Sequence, residues 1–155
     1  MINDQKGAGE PTSIAFEDPS FYHGPWWSPD SKKLVFYDKH LNLYYLDLDK
    51  KEPVQIDRDI YANPLPKFTP DWSPDSRWIA YEHTTDNEFS IIRLYNLETK
   101  EFFDVTENWY NSTSPEFSDD GKYLFFVSGR DFNPKYSATE WNHIYQDMNK
   151  IYIAT

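Results

Sequence analysis

Cysteine is missing altogether from this 155-residue sequence, which removes disulfides and Cys-ligated zinc and leaves the redox compartment open. Basic residues are scarce. Fifteen Lys and Arg stand against 26 Asp and Glu, a formal charge of −11 at pH 7. Nucleic acids and anionic membrane surfaces reward clustered Lys and Arg, so neither is an expected partner, and the acidity serves solubility. No stretch approaches the roughly 18 apolar residues of a membrane span. The N-terminus, Met1-Ile2-Asn3-Asp4-Gln5-Lys6, lacks the apolar core of a signal peptide. A targeting segment would have to belong to a longer parent chain, and cytoplasm and periplasm both stay open. Catalytic signatures are missing as well. There is no G-x-S-x-G elbow. His23, His40, His83 and His143 show no i, i+4 pairing with an intervening Glu, so the metalloprotease pattern fails. No metal and no cofactor are expected.

What is abundant is aromatic. Phe, Tyr and Trp make up 19% of the chain, alongside 11 prolines. Flat rings suit a pleated, half-buried surface, and frequent Pro argues against long helices, so the composition reads as all-β. A repeat organises it. Pro25-Trp26-Trp27-Ser28-Pro29-Asp30, Pro70-Asp71-Trp72-Ser73-Pro74-Asp75 and Pro115-Glu116-Phe117-Ser118-Asp119-Asp120-Gly121 superpose with Trp27, Trp72 and Phe117 spaced 45 residues apart. A period of about 40–45 in strand-rich units is a β-propeller signature. In each unit the aromatic residue ends a strand and is expected in the core. A turn follows, in which Pro presets φ and Ser and Asp bond the nearby backbone. The next strand is apolar on both faces (Leu34-Val35-Phe36-Tyr37, Ile79-Ala80-Tyr81, Leu124-Phe125-Phe126-Val127), as a blade sandwiched between two others requires. The expected architecture is three four-stranded antiparallel blades over about 18–62, 63–110 and 111–155, half of a six-bladed ring. The third blade lacks its outer strand, and residues 1–17 form an N-terminal arm.

Loop lengths vary at one position. Leu34 to Leu43 is 9 residues, Ile79 to Ile92 is 13 and Leu124 to Ile151 is 27, so the third unit carries an 18-residue insertion. Ser137 and Glu140 have capping-box spacing, and Trp141, Ile144, Tyr145 and Met148 fall at i, i+3, i+4 and i+7. That pattern predicts one short helix over about 138–147. Long loops often carry function, which makes Arg130, Tyr136, Trp141 and His143 the candidate binding residues. Strand parity places this insertion at the opposite end of the blade from the Ser-Pro-Asp turns.

The Trp-Ser-Pro-Asp turn resembles that of the WD-repeat-like blades of TolB and of tricorn protease-like serine peptidases. Two further stretches resemble the tricorn-like propeller region. One is the first turn running into Asp38-Lys39-His40-Leu41-Asn42-Leu43-Tyr44-Tyr45-Leu46-Asp47-Leu48. The other is Arg130-Asp131-Phe132-Asn133-Pro134 with Glu140-Trp141-Asn142-His143 and Asp147-Met148. The resemblance covers roughly residues 20–155. It implies a propeller that guides or filters peptides ahead of a PDZ-like module and a peptidase domain holding the catalytic Ser and His. This chain would then be a non-catalytic piece of a peptidase.

Ser28, Ser73 and Ser118 recur at one repeat position, as do Asp30, Asp75 and Asp120. A single active site needs no threefold repetition, so these read as turn residues. Asn111-Ser112-Thr113 matches a glycosylation acceptor, a short pattern of low specificity. Three functions follow: a peptide-handling or protein-interaction segment of a tricorn-like peptidase, a stand-alone TolB-like protein-binding module, or a small hydrolase using the 129–149 loop. Three blades do not close a ring, since propellers use about four to eight. The expected partner is a second copy, whose residues 12–17 would complete the third blade and close six, or the remaining domains of a longer parent chain.

Overall fold

Three antiparallel sheets follow one another along the chain in the computed structural model, which describes residues 10, 13–14, 16, 19–60, 68–131, 134–136, 143–144 and 147–155. The first holds β1 (Tyr22–Trp27), β2 (Lys33–Asp38), β3 (Asn42–Asp47) and β4 (Pro53–Arg58) in sequential order. The second repeats that order with β5 (Asp71–Trp72), β6 (Trp78–Thr84), β7 (Ser90–Asn96) and β8 (Phe102–Asp104). The third has three strands rather than four: β9 (Ser112–Phe117), β10 (Leu124–Ser128) and, after the insertion, β13 (Lys150–Ala154). Between β10 and β13 a separate two-stranded ladder pairs β11 (Lys135–Tyr136) with β12 (His143–Ile144).

That ladder overturns the expected helix over 138–147. His143 and Ile144 are extended and pair with Tyr136 and Lys135, and no helix occurs among the described residues. A ten-residue helix is marginal in water unless its apolar face packs, so a capping-box spacing alone does not sustain one. Ser137, Glu140, Trp141 and Tyr145 lie outside the described residues.

Side chains alternate between the two faces of a strand, and in the inner strands β2, β3, β6 and β7 both faces carry buried apolar residues. Leu34 and Phe36 of β2 look forward with Leu46, while Val35 looks back with Leu43 and Tyr45 onto Ile79 and Tyr81 of the second sheet. Ala80 and Ile92 on the far side of the second sheet meet Leu124 and Phe126 of the third. The aromatic residue that closes each first strand reaches toward the preceding sheet. Trp72 joins the core between sheets one and two, and Phe117 packs on the core between sheets two and three. Trp27, at the equivalent place, has no sheet before it among the described residues and is 47% exposed against 6% for Trp72. The expectation that Trp27 is a core residue is therefore corrected. Its repeat position buries a ring only against a preceding blade. Ile14, Phe16 and Tyr22 pack around the forward face of Leu34, Phe36 and Leu46 instead.

Hydrogen bonds spanning one repeat plus one residue tie the sheets together. Trp72 Nε1 donates to Trp26 O at 3.2 Å, the Asp30 amide to Ser76 Oγ at 3.1 Å, and the Phe117 amide to Asp71 Oδ2 at 2.7 Å, each across 46 residues. Pro25 and Pro115 lie in β1 and β9, and Pro70 immediately precedes β5. A first strand has one unpaired edge, where a residue without an amide proton breaks no ladder.

Candidate functional site

The repeated turns are the best-determined local chemistry. In all three, the Ser hydroxyl donates to the Asp two residues on, at 2.6 Å (Ser28–Asp30), 2.6 Å (Ser73–Asp75) and 2.7 Å (Ser118–Asp120). The same Oγ accepts the amide five residues ahead, from Lys33, Trp78 or Tyr123, at 2.9–3.0 Å. The Ser C=O closes the turn by accepting the amide of Ser31, Ser76 or Gly121. That last residue takes a left-handed φ of 57°, 59° or 68°, which costs nothing only at Gly121. Each Ser oxygen is thus committed as donor and acceptor inside its own turn, and none is paired with a histidine base. The carboxylates titrate accordingly. Burial raises Asp30, but Lys33, Ser28 and the Lys32 amide outweigh it and hold the group down at about 2. Asp75 is lowered in the same way against burial, by Ser73 and Arg77, and Asp120 is lowered by Ser118 and the Lys122 amide.

A charged cluster joins the first two sheets beneath the opposite end. Asp57 Oδ2, on β4, accepts from Tyr81 Oη at 2.9 Å and Arg93 Nη1 at 3.1 Å. His83 Nδ1 lies 3.0 Å from the same oxygen without hydrogen-bond geometry. Arg93 extends the cluster to Asp104 at 2.6 Å. Burial raises Asp57, yet the His83 contact, the Arg58 amide and the Tyr81 hydroxyl bring it below its ordinary value. Burial, with Asp57 beside it, pushes the Tyr81 phenol up. Arg93 and His83 from the second sheet both face the Asp57 carboxylate of the first, so the cluster reads as a pin between blades.

The insertion residues scatter. Arg130 turns inward, its guanidinium 5.7 Å from the Phe126 ring centroid and 5.4 Å from that of Tyr152, with Nε buried and unbonded. Tyr136 is exposed and pairs with His143 across the β11–β12 ladder. Trp141 lies outside the described residues. The structure therefore brings together Tyr136 and His143 through their backbones and leaves Arg130 against the blade.

The same end of the blades carries a groove that sequence reasoning missed. Because the strands alternate direction, the β6–β7 turn, the β8–β9 connection and the insertion all emerge there. The groove encloses about 740 Å³ between Phe89, Trp109, Tyr110, Asn111, Asp147 and Met148. Asn111 builds it. Its Oδ1 accepts the Ser90 amide at 2.9 Å, and its C=O accepts the Gly129 amide at 3.1 Å, so one residue fastens β7 to the end of β10. Asn87 Nδ2 donates to Asn108 O at 2.9 Å and locks the turn to the connection. Trp109 stands 71% exposed on this frame. The available signal was the pair Trp109-Tyr110 inside an otherwise polar Glu107–Asn111 loop, away from any strand alternation.

Comparison with known proteins agrees with this architecture. The family described as the tricorn protease second beta propeller domain matches residues 1–155. A tricorn protease homolog from Saccharolobus solfataricus is 30% identical over 126 residues, covering 81% of this chain and 11% of that protein. The tricorn protease of Thermoplasma volcanium is 24% identical over 132 residues, covering 81% and 12%. Among solved structures, a tricorn protease crystal structure superposes with a TM-score of 0.74 at 22% identity, covering 85% of this chain and 13% of that one. TolB from Acinetobacter baumannii superposes with a TM-score of 0.60 at 21% identity, covering 91% and 35%. These structural likenesses concern the fold. The chain spans little more than a tenth of the tricorn relatives' length.

Proposed function

The chain belongs to the tricorn protease second β-propeller family, and from that premise we propose that it works as a non-catalytic, peptide-handling scaffold of a larger peptidase. The observation that carries this reading is the state of the three repeated serines, whose hydroxyls are spent in turn hydrogen bonds, while the opposite end of the blades carries an open aromatic groove. The test mixes the chain with labelled peptides of basic, neutral and acidic composition, following anisotropy and cleavage in the same sample. Binding without cleavage is expected. Cleavage abolished by a single Ser substitution overturns the scaffold reading, and failure of every peptide to bind overturns peptide handling.

The ring needs further blades. Ile151 and Ile153 are 74% and 58% exposed beside Phe125 and Val127 on the back of the third sheet, and Trp27 is half-exposed on the front of the first. Such faces call for a covering neighbour. Blades from a longer parent chain fit the small share of the relatives that this chain spans. A second copy closing a six-bladed ring is the other source, and there residues 12–17 would have to leave their own blade, where Ile14 and Phe16 now pack. Light scattering on the 155-residue chain separates the two. A dimer that dissociates when residues 1–17 are deleted supports exchange, and a monomer at micromolar concentration removes it.

A further inference from the structure

We propose that the groove between Phe89, Trp109, Tyr110 and Met148 holds the cationic side chain, Arg or Lys, of an extended peptide. The proposal rests on the peptide-handling reading above and narrows it to one chemical class.

The groove joins two features that attract a cation. Its aromatic wall is held open. Trp109 keeps 71% of its surface exposed although the Asn87–Asn108 and Asn111–Ser90 bonds fix the loop around it. An indole face draws a guanidinium or ammonium group through its quadrupole, most strongly where water is partly excluded. Its rim is acidic. Asp147 lines the groove, Glu107 lies in the same connection as Trp109, and Asp86 and Glu88 lie in the turn that carries Phe89. None of these four carboxylates forms an ion pair among the described residues. The cations next to the groove are already engaged: Lys150 faces Asp131 at 3.7 Å, and Arg130 lies over Phe126 and Tyr152. Among the described residues the groove and the connections that bound it therefore carry an excess of negative charge, and no Lys or Arg lines the aromatic platform. Elsewhere the chain satisfies the same chemistry internally, with Arg93 4.7 Å from the Phe102 centroid and Lys100 4.7 Å from that of Tyr45.

The experiment uses the 155-residue chain and fluorescein-labelled peptides in which Arg, citrulline or Glu alternates with Gly, read by anisotropy at fixed ionic strength. The Arg peptide is expected to bind best. Trp109→Ala should weaken it by roughly two- to thirtyfold, the span of a cation–π contact. Asp147→Asn should weaken it severalfold, and both variants should melt with wild type. Tyr110→Ala serves as a second aromatic variant if Trp109→Ala melts early. Because Trp109→Ala keeps every charge, Arg-peptide binding indifferent to it and to Tyr110→Ala would reduce the effect to general attraction by an acidic protein and overturn the site, leaving peptide handling intact. Preference for the Glu or citrulline peptide overturns the cationic class alone. No binding by any of the three overturns the proposal and the peptide-handling reading together.

Discussion

Replacing Trp72 and Trp27 by alanine, one at a time, tests the claim that the repeat aromatic works by reaching back to a preceding blade. Trp72 is 6% exposed and its ring joins Val35, Leu43, Tyr45 and Ile79 in the first inter-sheet core. A tryptophan buries about 150–250 Å², worth about 4–6 kcal/mol at ~25 cal/mol per Å², part of which an alanine retains. The lost Nε1 bond leaves Trp26 O without that donor, adding about 1 kcal/mol. Partial collapse of the cavity works the other way, and large-aromatic truncations in cores settle near 3–5 kcal/mol. We expect about 4 kcal/mol for Trp72→Ala and a fall in Tm on the order of 10 °C. Trp27 leaves 47% of its surface in water, so its truncation should cost about 2 kcal/mol or less. Urea titrations followed by far-UV circular dichroism at matched concentration read both. Equal losses, or a larger loss for Trp27→Ala, would refute the reasoning. A Trp27→Ala loss that grows with protein concentration would instead place a second copy on that face.

Ser31→Gly relieves a left-handed φ at a side chain with no hydrogen bond among the described residues, and should raise the urea midpoint by an amount worth about 0.5 kcal/mol. Ser76→Gly relieves the same strain but removes the acceptor of the Asp30 amide, so it should be neutral or destabilising in the same titration. Asp57, Asp30, Asp75 and Asp120 all titrate below their ordinary value in the folded chain. A depressed folded pKa adds stability that is complete above the unfolded value and is lost as pH falls through the folded one. The urea midpoint should therefore drop between about pH 4 and pH 2, less steeply in Asp57→Asn than in wild type. Substituting Ser28, Ser73 and Ser118 by alanine should lower stability, and the wild-type chain should show no peptide turnover in a fluorogenic assay for them to abolish.

The propeller was legible because its evidence recurs. Bonds inside the Ser-x-Asp turn span two to five residues, so three copies of one short pattern, with Pro at the middle place in two of them, carry three copies of one hydrogen-bond set. Strand parity likewise puts the insertion and the turns at opposite ends of the sheet, as the strand pairing shows. The failures share a cause. Whether Trp27 is buried depends on a neighbour, and the bonds that join neighbours span 46 residues, so equivalence of position does not carry equivalence of environment. The helix failed because a capping-box spacing and an apolar i, i+3, i+4, i+7 pattern are both local, whereas the ladder that replaced it needs Tyr136 and His143 to meet. The groove was out of reach for the same reason. Phe89, Trp109 and Met148 belong to three different connections and meet only because every second loop of an up-and-down sheet emerges at one end. A repeat thus determines what each blade does to itself, and its surfaces acquire their chemistry from what differs between blades: the loop lengths, the one insertion and the Trp109–Tyr110 pair that no other unit carries.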